Sequence, residues 1–182
     1  MSRSMSLAAS LAATEARVLL RSVTLWAGVL VTVALGTTWG WTQMPTWDTV
    51  GDNTGMASVV LAAILLAHGH LAGSRDHRHA ATEVSTTLPT GPGRRTIALL
   101  VLVPVATLLG ALTLATQLAL LLPDAPAGNF DANDLAPTML IPPIGAAIGV
   151  AVGRWLPATA AGPLAVLTGA IVIITLPGIG NG

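Results

Sequence analysis

Residues Ile97–Leu122 read IALLVLVPVATLLGALTLATQLALLL, a run that contains no charged side chain. About 20 predominantly apolar residues in a helix are enough to cross the roughly 30 Å hydrocarbon core of a bilayer. A membrane β-strand would alternate apolar and polar residues, whereas Leu99–Val103 is continuously apolar. A spanning segment must also satisfy its own backbone hydrogen bonds, and a helix does so. The run therefore predicts a transmembrane α-helix.

Four further apolar stretches surround this run, and none of them contains Asp, Glu or Arg. The five predicted spans lie at about 23–42, 56–73, 97–122, 137–153 and 158–177. They predict an all-α fold, a polytopic transmembrane helical bundle of about five spans. The transmembrane domain is then 23–177, with an N-terminal segment 1–22 and a short external tail 178–182.

The composition excludes most other classes of protein. Hydrophobic residues make up 53% of the chain and charged residues 9%, whereas a soluble domain carries about 25% charged residues. The chain has no Cys and no Lys, which excludes disulfides, thiolate chemistry and a P-loop lysine. No basic surplus is available for nucleic acid. No catalytic motif is present, so we expect neither an enzyme nor a cofactor.

The net charge of zero hides a strong asymmetry along the chain. All eight arginines lie before span 1, between spans 2 and 3, or between spans 4 and 5: Arg3, Arg17, Arg21, Arg75, Arg78, Arg94, Arg95 and Arg154. With three acidic residues among them, this side carries a net charge of +5, and the five aspartates of the other loops give −5. Cytoplasmic loops are enriched in Arg and Lys. The pattern predicts a cytoplasmic N-terminus and, with five spans, an external C-terminus.

The N-terminal segment has the spacing of a surface helix. Its polar residues recur every three or four positions: Ser6, Ser10, Thr14, Arg17 and Arg21. This stripe predicts an amphipathic helix on the cytoplasmic face of the membrane. The alternative is a frayed, disordered tail.

Small residues mark a helix–helix contact in span 4. Gly145, Gly149 and Gly153 recur every fourth position, a spacing that lets two helix backbones approach closely. They predict packing within the chain or, alternatively, a dimer face. Pro104 and the Pro142–Pro143 pair predict kinks or broken turns in their helices.

Thr113, Thr116 and Gln117 form a small polar group in span 3. It is open to two interpretations, a polar substrate path or interhelical hydrogen bonds. The spans contain no carboxylate, which argues against an ion-coupled carrier. The histidines form two i, i+2 pairs, whereas zinc helices favour ligands three or four residues apart, so no metal site is predicted.

The loop between spans 2 and 3 carries the most specific pattern. It contains Arg75-Asp-His-Arg-His79, then Thr82-Glu83, Leu88-Pro89 and Arg95-Thr96. This arrangement resembles the first cytoplasmic loop of bacterial ABC-2 type transporter permeases. The stretch Gly153-Arg-Trp-Leu-Pro157, which follows a Gly-rich span, is also similar to that group.

The resemblance implies a specific arrangement. In such permeases an amphipathic connector helix precedes span 1, and the loop between spans 2 and 3 holds a coupling helix that docks in a separate ATPase subunit. It implies an exporter in the bacterial cytoplasmic membrane that pairs with a second permease subunit, identical or different. The candidate contacts with the ATPase are Arg75, Asp76, Arg78 and Glu83.

The chain departs from the family pattern in its number of spans. Permeases of this class commonly have six spans per unit, and five are predicted here. Either the sixth span is missing, the chain is a fragment, or a partner supplies the helix. The alternative function is a non-transporting polytopic membrane protein, such as an assembly partner, an immunity factor or a signalling subunit.

Overall fold

The computed structural model describes residues 2–38, 46–75, 92–124, 126–156, 158, 161–166 and 168. In this part of the chain every regular element is a helix, which confirms the all-α prediction. The six longer helices are α1 (Ser2–Leu20), α2 (Val23–Thr38), α3 (Trp47–Gly73), α4 (Pro92–Leu99), α5 (Leu102–Leu121) and α6 (Ala132–Trp155). Most of the predicted fifth span, 158–177, lies outside the described residues.

Three of the described segments are long and apolar enough to cross a membrane: α3, α6 and the stretch Arg95–Leu121 that includes α5. A fourth span exists if the end of α1 and α2 together cross the bilayer, with a bend of 59° between them. Several large apolar side chains point away from the protein, among them Leu30 and Leu108, each 70% exposed. Such side chains suit a lipid environment rather than water.

Two hydrogen bonds that belong to neither helix stabilise the bend between α1 and α2. The Ser22 backbone N–H donates to the Leu19 carbonyl oxygen at 3.0 Å. The indole N–H of Trp26 reaches back to the Leu20 carbonyl oxygen at 2.7 Å. Carbonyls at the end of a helix lack partners within the helix, so these two donors satisfy groups that the bend exposes.

Helix α3 begins nine residues before the predicted apolar stretch 56–73. Thr46 caps it: its hydroxyl accepts the Thr49 N–H at 3.3 Å, and its own N–H donates to the Thr49 hydroxyl at 3.0 Å. This reciprocal pair stabilises the first turn. The helix therefore extends through Asp48 and Asp52, polar residues that a hydropathy pattern assigns to a loop.

Pro104 interrupts the helix that is predicted over Ile97–Leu122. A proline has no N–H, and its ring clashes with the carbonyl four residues earlier, here that of Leu100. The chain responds with tighter i to i−3 bonds, from the Val101 N–H to Ala98 at 3.3 Å and from the Val103 N–H to Leu100 at 3.1 Å. The result is the short break between α4 and α5. In contrast, α6 runs as one helix through Pro142 and Pro143.

Helices α3 and α6 form the tightest pair in the described structure. A methyl group on Gly145 would come within 2.5 Å of the Ala62 carbonyl oxygen, and one on Gly153 within 2.5 Å of the His70 carbonyl oxygen. Gly149 faces Leu66 in the same way. Each step of four residues along α6 is matched by four along α3 in the same direction, so the helices are parallel. The three predicted glycines therefore lie at a contact within the chain.

The apolar core fills the space around this pair. One cluster of buried residues extends from the bend between α1 and α2 through α3, α4, α5 and α6: Leu19, Leu25, Val29, Leu61, Leu65, Leu99, Leu102, Ala106, Leu109, Ala146 and Val150. A smaller cluster lies near the start of α3 and α6 and contains Val50, Leu114, Leu121 and Leu135. The loop before α6 packs there as well, with the Phe130 ring edge-on to Trp47 at 4.8 Å.

Candidate functional site

Polar side chains lie completely buried in the middle of the bundle. Six that lie within α2, α3, α5 and α6 have no exposed surface: Thr32, Thr54, Ser58, Thr113, Gln117 and Thr138. A seventh, Ser74, follows α3 at the end of the bundle. A buried polar group without a hydrogen bond is costly, and the cost is highest where neither water nor protein is near. The partners of these six residues therefore show which of them are structural and which are available to a ligand.

Four of the six are satisfied by protein atoms. The hydroxyls of Thr54, Ser58 and Thr113 donate to carbonyl oxygens three residues earlier in their own helices, at 3.2, 2.6 and 2.8 Å. Thr138 of α6 donates to the Thr54 hydroxyl of α3 at 2.9 Å. These bonds hold the side chains within the helix packing and leave them no free donor.

Gln117 connects α5 to α2. Its side-chain amide donates to the Thr32 carbonyl oxygen at 2.9 Å, and it lies directly over Gly36, where a methyl group would come within 2.8 Å of the amide carbon. The amide oxygen of Gln117 and the hydroxyl of Thr32 have no hydrogen-bond partner. This is the least satisfied polar contact between helices in the described part of the bundle.

The predicted polar group of α5 does not converge on one site. Thr113 is buried and bonded within its own helix, whereas Thr116 is exposed and donates to the Leu112 carbonyl oxygen at 2.8 Å. Of the three, only Gln117 reaches another helix through a side-chain hydrogen bond. Its partners Thr32 and Gly36 were not predicted as site residues; Gly36 belongs to a Gly36/Gly40 pair with small-residue spacing, which is the one sequence signal that points to this contact.

A second polar cluster lies at the bend between α1 and α2. The His68 ring nitrogen Nδ1 is 3.0 Å from the Ile64 carbonyl oxygen, and Nε2 is 3.0 Å from the Ser22 hydroxyl. A carbonyl oxygen only accepts, so in a neutral imidazole Nδ1 carries the proton and Nε2 accepts from Ser22. The Thr24 hydroxyl is 2.7 Å from that of Ser22. The cluster joins the start of α2 to the end of α3.

The arginine-bearing end of the bundle contains an ion pair. Arg75, which follows α3, donates to the Glu15 carboxylate of α1 at 2.9 Å. Helix α1 also packs against α4. Helix α1 therefore contacts Arg75 and α4, which flank the segment 76–91 on either side. Of the predicted coupling residues the structure describes Arg75 alone; Asp76, Arg78 and Glu83 lie outside the described residues.

His70 is the most deeply buried titratable residue described at this end. It is 3% exposed, and its Nδ1 atom has no hydrogen-bond partner. The ring lies close to Gly162, where a methyl group would come within 2.7 Å of ring carbon Cδ2. The absence of a side chain at Gly162 makes space for the ring, and Gly153 lies against the backbone of His70.

The opposite end of the bundle is acidic. Asp131 caps α6 by accepting the Asn133 N–H at 2.8 Å, and Asp134 follows in the first turn. A methyl group on Gly51 would touch Asp134, so the start of α6 lies against the start of α3. The cap gives the Asp131 carboxylate a structural role without a ligand. In the described residues no three His, Cys, Asp or Glu side chains form a metal-binding group.

No protein-family model, no curated protein and no solved structure matches the chain. What the fold and composition define is a helical membrane protein, in which three or four of the described helices are suited to span the bilayer.

Proposed function

We propose that the chain is the membrane-spanning permease subunit of an ABC transporter, an exporter driven by a separate ATPase subunit. The observation that carries the proposal is that α1 contacts Arg75 and α4, the described residues that flank the loop between α3 and α4. The Arg75–Glu15 pair joins α1 to the end of α3, and α1 packs against α4. A protein that moves this loop would move three helices together.

This arrangement suits the coupling role that the loop sequence suggests. We propose that α1 lies on the cytoplasmic surface as an amphipathic connector helix and that Asp76, Arg78 and Glu83 contact the ATPase. Arg75 would then have two partners, since it is 47% exposed while bound to Glu15. Charges on a short docking segment select a complementary partner and fix its orientation.

The proposed topology places the arginine-bearing end in the cytoplasm of a bacterial cell, and the bundle pairs there with a second permease subunit. A chain without cysteine allows a direct test of orientation. A single cysteine at exposed Asn129 should react with a membrane-impermeant maleimide in intact cells. One at exposed Ala9 should react only after the membrane is opened. The reverse labelling pattern would contradict this topology.

The decisive experiment is purification of the tagged chain from its native membrane in a mild detergent. We expect a P-loop ATPase in stoichiometric amount, identified by mass spectrometry and by ATP hydrolysis in the purified complex. Glu83→Arg should reduce the recovery of ATPase strongly. The matched control is Asp52→Arg, the same type of charge reversal at the opposite end of the bundle, which should leave recovery unchanged.

Two outcomes would count against the proposal. If the folded chain is recovered without any ATPase, the function is that of a non-transporting membrane protein. If Glu83→Arg and Asp52→Arg reduce recovery equally, the ATPase does not dock on the loop between α3 and α4.

A further inference from the structure

The contact between Gln117 and Thr32 contains two polar atoms that the protein leaves without partners. The Gln117 amide nitrogen is 2.9 Å from the Thr32 carbonyl oxygen, so the Gln117 side chain lies against the backbone of Thr32. Neither residue has exposed surface. The Gln117 Oε1 and Thr32 Oγ1 atoms nevertheless make no hydrogen bond.

Their environment differs from that of the other buried hydroxyls. Thr113 lies one turn before Gln117 on α5, is equally buried, and donates to the Gly110 carbonyl oxygen at 2.8 Å. A threonine inside a helix can bond a preceding carbonyl in this way, but Thr32 does not. An unsatisfied polar group at membrane depth costs several kcal/mol, and here two of them occur together.

The chemistry of the two atoms defines what would satisfy them. An amide oxygen can only accept a hydrogen bond, and a hydroxyl can both donate and accept. The partner of Gln117 must therefore supply an O–H or N–H group. The six fully buried polar residues of this core carry no formal charge, so nothing in it favours a cation or an anion.

We propose that Gln117 Oε1 and Thr32 Oγ1 form a binding site for a small uncharged hydrogen-bond donor between α2 and α5. Two sources supply this chemistry: water, or a hydroxyl or amino group of a transported solute. The solute alternative rests on the proposed function, whereas the water alternative does not. In both cases Gly36 makes the room for the Gln117 side chain, and the bound molecule joins the two helices a second time.

Glutamine labelling tests the site without any substitution. The chain has only two glutamines, Gln43 and Gln117, so side-chain ¹⁵N labelling of glutamine gives two NH₂ signals by NMR in lipid nanodiscs. The purified chain in plain buffer offers water as the only donor. We expect a cross-peak between water and the Gln117 NH₂ group, which Gln117→Leu removes. Gln43 serves as the internal reference.

Cysteine reactivity supplies the second measurement. A thiol must ionise to react, and dry apolar surroundings raise its pKa, so a hydrated Thr32→Cys should react with methyl methanethiosulfonate about tenfold faster than Thr113→Cys. If Thr32→Cys reacts equally fast in proteoliposomes and in whole cells, water is the occupant. If it is slowed in whole cells alone, a cellular solute occupies the site.

The proposal is overturned if Gln117 shows no exchange with water and Thr32→Cys reacts as slowly as Thr113→Cys in both settings. The site is then dry, and the Thr32 hydroxyl bonds its own helix instead. That result would leave ATPase recovery unaffected. Recovery without an ATPase would in turn remove only the solute alternative, so the two proposals fail separately.

Discussion

The α3–α6 pair and the α2–α5 pair hold helices together in opposite ways. Between α3 and α6, side chains are missing: Gly145, Gly149 and Gly153 let one backbone rest on the other. Between α2 and α5, one glycine admits a long polar side chain, and Gln117 forms the contact. Close backbone packing leaves no space for one helix to shift against the other. A hydrogen bond from a side chain, in contrast, can break and form again. The first pair suits a fixed frame, and the second suits a contact that opens.

The largest expected effect comes from adding one methyl group to the fixed pair. In Gly149→Ala the new carbon would lie 2.8 Å from both the carbonyl carbon and the Cα atom of Leu66. These are backbone atoms, which cannot move away by a change of rotamer. We expect the free energy of unfolding in mixed micelles to fall by about 3 kcal/mol, the upper end for overpacking. The measurement is unfolding by SDS, followed by circular dichroism.

The matched control for that substitution is Gly55→Ala in the same interface. There the nearest atom to the new methyl group is Pro137 Cβ at 3.4 Å, close to ordinary contact. Alanine also has the higher helix propensity, by about 1 kcal/mol, so stability should stay constant or rise. Equal losses at Gly149 and Gly55 would show that α3 and α6 are not in backbone contact.

A methyl group at the second pair should cost less because a side chain can move. In Gly36→Ala the added carbon meets the flexible amide of Gln117. We expect a loss of about 1–2 kcal/mol from the displaced side chain. In a Gln117→Ala background the same substitution should cost nothing. A persistent cost there would mean that Gly36 packs against backbone rather than against Gln117.

The sequence predicts the helices of this protein better than their contacts. The uncharged run Ile97–Leu122 is enough to predict a helix. The break near Pro104 agrees with its prediction, whereas Pro142 and Pro143 do not interrupt α6. The sequence does not predict the early start of α3, because polar residues such as Asp48 and Asp52 are typical of a loop. They lie in the helix because Thr46 caps it, and that cap depends on local geometry. Hydropathy indicates which residues suit the lipid core, and a helix can extend beyond them.

The contacts of Gln117 could not be predicted for a different reason. Thr32 lies 85 positions away, and which residues meet depends on how α2 and α5 are rotated about their axes. A small polar residue such as Thr113 forms its hydrogen bond within its own helix. Its presence in the sequence therefore does not indicate which helix lies next to it. The glycine spacing of α6 was informative because a close approach requires a small residue at every fourth position.

Removing the polar side chain altogether should have a small effect. Gln117→Leu loses one bond to Thr32 but also removes an amide oxygen that the protein leaves unsatisfied. We expect the free energy of unfolding to fall by less than about 1 kcal/mol. Thr116→Val, on the exposed side of the same helix, is the control and should change nothing. A loss as large as that of Gly149→Ala would place Gln117 in the fixed frame.

The smallest effect should come from a polar bond inside the fixed pair, between Thr138 and Thr54 at 2.9 Å. Hydrogen bonds between membrane helices average about 0.6 kcal/mol in double-mutant cycles. Thr54→Val, Thr138→Val and the double variant should therefore give a coupling energy near that value. Pairing Thr138→Val with Ser58→Ala, whose hydroxyl bonds its own helix, should give none. A coupling above about 2 kcal/mol would mean that side-chain hydrogen bonds, and not only backbone packing, hold α3 to α6. The α3–α6 pair would then not differ in kind from the α2–α5 pair.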